Sequence, residues 1–198
     1  AEVESLTFAV ASCANYESGF FNAYKDMAER GRSGEIDFVV FLGDYIYEKP
    51  IPVHGGARPE AVLPLSATRE AVDLDDYRER YALYKSDPDL QLAHAMAPFV
   101  ITFDDHEVAN NWVGDIDAKG APADAFRMRR AAGMQAWYEY MPVRAAMAPR
   151  SEMIGTMYRQ ARFGDLLSID FLDTRTFRTD QPCGDNFKPA CAEMAATQ

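Results

Sequence analysis

Three short apolar runs, each giving way abruptly to polar residues, set the rhythm of this chain. LTFAVAS at 6–12 and the segment from Ile36 to Leu42 are nearly continuous in hydrophobic character, which predicts buried strands, and FVITF at 99–103 is a third. Between the first two, Phe20, Phe21, Tyr24, Met27 and Ala28 fall on one side of a helix over 19–30, ended by the GRSG segment. A strand, helix, strand succession with apolar strands predicts a parallel, right-handed βαβ unit in an α/β sheet covered on both faces.

Further along, the stretch from Pro50 to Thr68 holds four prolines and two adjacent glycines and shows no periodicity, so it reads as a long surface loop. Leu74, Tyr77, Tyr81 and Tyr84 recur at helical spacing over 73–86, and Asp87-Pro88 caps a second, shorter helix running to Ala97. Phe126, Met134, Trp137, Tyr138 and Met141 define a helix over 123–141. After it, Met153 to Arg162 and Leu166 to Phe171 predict a hairpin turning at Phe163-Gly164. There is no internal repeat and no low-complexity segment.

The length of 198 residues suits one domain, and 48% hydrophobic content suits a packed core. A formal net charge of −11 repels polyanions over most of the surface, which argues against nucleic acid as a partner and means that an anionic substrate needs a local cation. No apolar run approaches the roughly 20 residues that span a bilayer, and AEVESLTF lacks the regions of a signal peptide. Cys183 and Cys191 in CGDNFKPAC are placed for a short-loop disulfide suited to an oxidising compartment, which leaves Cys13 over.

If the three strands are parallel neighbours, Cys13, Asp44 and Asp105 all emerge at carboxyl ends of strands, the edge at which open α/β sheets bind ligands. Tyr47, Asp104, His106 and Asn110 follow on the same loops. Carboxylates crowded in a cleft repel one another, and a multivalent cation removes that penalty. Carboxylate and phenolate oxygens with one thiolate suit a trivalent or transition metal such as iron, with calcium or another divalent ion on the purely oxygen side, and softness alone does not choose between them. Blander readings exist for each residue. A lone cysteine is commonly a small core hydrophobe, an aspartate after a strand is commonly a cap, DDHE can be a solvated helix start, and Tyr77, Tyr81 and Tyr84 read as packing residues. His54 and His94 read as surface or satisfied histidines. Convergence of three loops on one edge favours a single site.

VASC at 10–13, FLGDYIYE at 41–48, FDDHEVANN at 103–111 and FLDTRTFR at 171–178, in that order, resemble the PhoD-type alkaline phosphatases of the calcineurin-like metallophosphoesterase superfamily. The resemblance implies that 1–198 is the N-terminal part of a catalytic domain, a partial four-layer αββα sandwich. It implies hydrolysis of phosphate monoesters or diesters by a metal-bound hydroxide, with a phospholipase D-like phosphodiesterase and a noncatalytic metal-binding fragment as alternatives. Asp44 then bridges metals, Cys13 and Tyr47 ligate iron(III), Asp105 stands where the wider superfamily has asparagine, and Asn110 adds a ligand or fixes His106. His106 is the catalytic histidine. The Arg175 guanidinium offers a fork either to phosphoryl oxygens or to Asp173. Calcium or another divalent ion accompanies the iron, and the location is periplasmic or secreted. Members finish the metal site with C-terminal histidines; none follows His106 here, so the rest of the domain is expected from further chain.

Overall fold

The computed structural model describes residues 3–52, 58, 63–149 and 157–182. The elements run β1 (Phe8–Ala11), α1 (Asn22–Ser33), β2 (Phe38–Phe41), α2 (Leu74–Lys85), α3 (Pro88–Met96), β3 (Phe99–Ile101), α4 (Ala123–Tyr140), β4 (Arg159–Phe163) and β5 (Leu167–Phe171). β1, β2 and β3 form a parallel sheet in that order, with Ala11, Phe41 and Ile101 in register, so their carboxyl ends lie side by side. β4 and β5 pair as an antiparallel hairpin.

One face of the sheet presents Val39, Phe41, Phe99 and Ile101 to the four helices, whose Tyr24, Tyr77, Leu90 and Trp137 belong to the same core. The opposite face presents Phe38 and Val40 to Phe163, Ile169 and Phe171 of the hairpin, with the Phe38 and Phe163 rings stacked at 4.5 Å. Only β2 is enclosed on both sides. β1 lies at the edge, with Phe8 40% and Val10 54% exposed, so the expectation of a strand buried throughout, in a sheet fully covered, is corrected.

Helix boundaries depart from the pattern where packing overrides it. α1 begins three residues later than its periodicity implies, and Phe20 stands outside it, 64% exposed. The helix also runs through Gly31, where a side chain would meet the Met96 backbone of α3 at 2.9 Å, so glycine there permits close packing of the two helices. Gly34, at φ 74°, supplies the left-handed residue that ends the helix. α2 starts where expected, with Asp73 and Asp76 forming a reciprocal cap of about 1 kcal/mol. Asp87 caps α3 ahead of Pro88, as the sequence signals. The first hairpin strand is Arg159–Phe163, the expected start at Met153 lying outside the described residues, and the turn follows Phe163, with Gly164 at φ 55°. The Cys183–Cys191 pair lies outside the described residues, as do His54 and the rest of 53–57 and 59–62 in the proline-rich loop.

Candidate metal centre

The loops leaving the three strands are tied together before any side chain is considered. The Cys13 amide donates to the Gly43 carbonyl at 3.1 Å and the Ala14 amide to Asp44 at 2.8 Å, which binds the first loop to the second. The second touches the third at Gly43, where a β-carbon would lie 2.5 Å from the Asp104 nitrogen. Its φ of 112° and this contact together demand glycine. Cys13, Asp44 and Asn111 take φ values of 57°, 56° and 60°, a region ordinary residues avoid at a cost on the order of 1–2 kcal/mol. Strain of this kind concentrates where side chains must be aimed.

The side chains so aimed converge on Asp44. Its Oδ2 lies 3.5 Å from Cys13 Sγ and 3.4 Å from the Tyr47 hydroxyl, while its Oδ1 accepts the His106 amide at 3.3 Å. One donor atom each from Asp44, Asp105 and His106 fall within 4.8 Å of one another, and all three residues are buried. Asp105 Oδ2 accepts the Asn111 amide at 2.6 Å. Arg175 reaches Asp105 Oδ1 with Nη2 at 3.3 Å and Asp104 Oδ1 with Nε at 2.5 Å. Behind His106, Glu48 Oε2 meets Nδ1 at 2.6 Å and Oε1 accepts the Asn110 amide at 2.9 Å, which leaves Nε2 as the free ring nitrogen.

Electrostatics matches a site built for a cation. Burial, reinforced by Asp105 and Asp104, raises the Asp44 carboxyl against the opposing influence of His106. Burial, then the Asp44 charge and Cys13, raises the Tyr47 phenol. Burial alone would lower His106, but the Glu48 hydrogen bond and the charges of Glu48, Asp105 and Asp44 outweigh it. A positive charge among these donors would add attraction that outweighs the carboxylate repulsion. The donor set of carboxylates, thiol and phenol, with the imidazole alongside, is of the kind that could hold a metal ion.

Cys13, Asp44, Tyr47, Asp105 and His106 therefore come together. Cys13 is exposed, which removes its reading as a core hydrophobe. Glu107 is fully buried in a turn rather than at a solvated helix start. Asn110 joins the site through its backbone, while its carboxamide oxygen faces Lys49 Nζ at 3.5 Å. Arg175 pairs with Asp104 and Asp105; Asp173 accepts the backbone amides of Arg175 and Thr176 and is not its ion-pair partner. Tyr77, Tyr81 and Tyr84 pack in the core as expected, and Tyr84 additionally accepts the Tyr47 amide through its hydroxyl at 3.1 Å. Sequence reasoning missed Glu48 and Glu107, both 0% exposed. Glu48 carried a signal, a carboxylate directly behind the apolar Tyr45-Ile46-Tyr47, whereas Glu107 was hidden among the more conspicuous Asp104, Asp105 and His106 before it.

Comparison with known proteins places this geometry. A family model described as PhoD-like phosphatase matches residues 8–198. The chain is 43% identical over 197 residues to "Alkaline phosphatase D" of Bacillus subtilis (strain 168), covering 98% of this chain and 32% of that protein. Among solved structures, "Structure of PhoD" is similar at a TM-score of 0.87 and 42% identity, over 99% of this chain and 36% of the other. The chain spans about a third of the length of these relatives.

Proposed function

The chain belongs to the PhoD-like phosphatase family, and from that premise we propose that it forms part of a metal-dependent phosphoric ester hydrolase. The observation that carries this reading is the approach of Cys13 Sγ and the Tyr47 hydroxyl to one oxygen of Asp44, with Asp105 and His106 alongside. In the proposal Cys13, Tyr47 and Asp44 would hold iron(III), and Asp44, Asp105 and Asn110 would hold calcium or another divalent ion. Bound there, the cations supply Lewis acidity toward water and the phosphoryl oxygens.

The chain's own residues then divide the remaining work. His106, held by Glu48 through Nδ1, presents Nε2 to hydrogen-bond a phosphoryl oxygen or to protonate the departing alkoxide. Arg175, at the rim beside Asp104, offers its guanidinium fork to nonbridging oxygens. The relatives are about three times longer, which supports completion of the centre by further chain. Val10, Leu42 and Leu172, exposed on the hairpin side of the sheet, support a second layer there, as in a four-layer αββα domain. A location in the periplasm or the medium is proposed from the family resemblance alone; among the described residues no helix is long and apolar enough to cross a membrane.

The test uses the full-length protein, with elemental analysis and rates on an aryl phosphate monoester, an aryl phosphodiester and phosphatidylcholine. Asp44→Ala is expected to lose both bound metal and hydrolysis, and Cys13→Ser to lose iron selectively. Unchanged metal and turnover in Asp44→Ala would defeat the proposal. Tight metal without turnover on any ester would favour a noncatalytic metal-binding role, and a preference for phosphatidylcholine would favour the phospholipase D-like reading.

A further inference from the structure

Glu107 has no role in the chemistry proposed above, yet it is as deeply buried as any residue in the protein. Its Oε2 accepts the Asp104 amide at 2.8 Å, an interaction within its own turn. Its Oε1 instead crosses to the loop after β2 and accepts the Tyr45 amide at 2.6 Å, 62 residues away in sequence. A carboxylate that merely capped its own turn has no reason to reach the other loop.

We propose that Glu107 is a positioning residue for the metal centre, a clamp that joins the loops after β2 and β3 and thereby sets the separation of Asp44 and Asp105. Each of the two amides it binds, those of Tyr45 and Asp104, directly adjoins one of those two aspartates. On the other side of the same junction, Gly43 presses against the Asp104 backbone, so the loops have no room to close further. The carboxylate prevents them from parting. Glu107 is itself backed by α4, where a side chain at Gly133 would lie 2.8 Å from the Glu107 carbonyl oxygen. Tyr45 and Ile46 are completely buried, so water has no access to replace the lost acceptor.

This inference rests on the proposed metal centre, and its test is arranged to separate the two. In the full-length protein, Mn2+ binding is followed by EPR, bound metal by elemental analysis, and folding by circular dichroism and thermal melting. Glutamine at 107 keeps one acceptor and turns an N–H toward the other amide, so Glu107→Gln is expected to fold and to bind Mn2+ about 10–100-fold more weakly, as loss of a ligand-orienting partner does. Leu90→Ala, a truncation in the buried interior of α3, is the control for general destabilisation and is expected to keep wild-type affinity.

Wild-type affinity in Glu107→Gln, or an equal loss in Leu90→Ala, overturns the clamp while leaving the metal centre intact. Should Glu107→Gln fail to fold, Glu107→Asp decides: its shorter side chain cannot reach both loops, so a folded variant with weakened binding supports the clamp. A folded aspartate variant with full affinity, or one that also fails to fold, overturns it. Absence of Mn2+ binding in the wild-type protein sinks both proposals.

Discussion

His94 and His106 are separated by 12 positions, the first half-buried and the second buried, and both form a ring hydrogen bond, yet their surroundings drive them in opposite directions. His106 meets a carboxylate, and the negative groups around it favour the protonated ring. His94 Nε2 meets the Tyr45 hydroxyl at 2.8 Å, and its ring stacks on Phe99 at 3.9 Å. Burial, with the Lys85 charge adding, pushes His94 down to about 3. Neighbouring positions of one loop serve both: Asp44, Tyr47 and Glu48 turn toward His106 and the rim, whereas Tyr45 turns back into the core toward His94. A histidine becomes chemical or structural according to which side of that loop it faces.

The sharpest way to break the contrast is to replace His106. His106→Gln in the full-length protein is expected to lower kcat by about 100- to 10,000-fold, the usual span for a lost general acid or base, with bound metal unchanged. A matching loss of metal would make His106 a ligand and not the proton donor. Glu48→Gln should have the next largest effect, lowering kcat by up to about 100-fold through misorientation of the ring, with KM and metal content preserved. Equal kcat in that variant would leave Glu48 a purely structural acid.

The smallest effect, on stability alone, belongs to His94. Its folded-state value lies below the unfolded value of 6.5, so the unfolded chain takes up a proton that the folded chain refuses. The stabilisation is therefore complete above about pH 6.5 and is lost as pH falls toward 3, by at most about 1.4 kcal/mol per pH unit. His94→Gln keeps an acceptor for Tyr45 and removes the titration. Its melting temperature is expected to change less than that of the wild type between about pH 7 and about pH 5, with kcat unaffected. For His106 the sign is reversed: its stabilisation is present below the unfolded value and lost as pH rises through the raised folded value.

Much of the architecture was readable in advance because it depends on local chemistry. The apolar runs gave three strands, Asp73 and Asp87-Pro88 marked helix starts, and the aromatic spacing over α2 and α4 identified helices whose tyrosines and tryptophan fill the core. Cys13, Asp44 and Asp105 were legible for a related reason, since parallel strands in register deliver their following residues to one edge. Less visible were features set by contacts distant in sequence. Gly31 looked like a terminator and is a packing position against Met96, while Phe20 looked like core and lies exposed ahead of the helix. Glu107 looked like one acid among several until its second oxygen was found on the opposite loop.

Residue order determined which donors this protein carries, that they follow strand ends, and that Gly43 precedes Asp44 at a sharp turn. Those properties arise from backbone stereochemistry and short-range patterning, which operate within a few positions. Tertiary packing alone decided that Cys13 and Tyr47 share one oxygen of Asp44, that Glu48 serves His106, and that Tyr45 serves His94. Hydrogen bonds and burial depend on distances in space, and a chain position carries no record of which remote group will occupy the gap beside it.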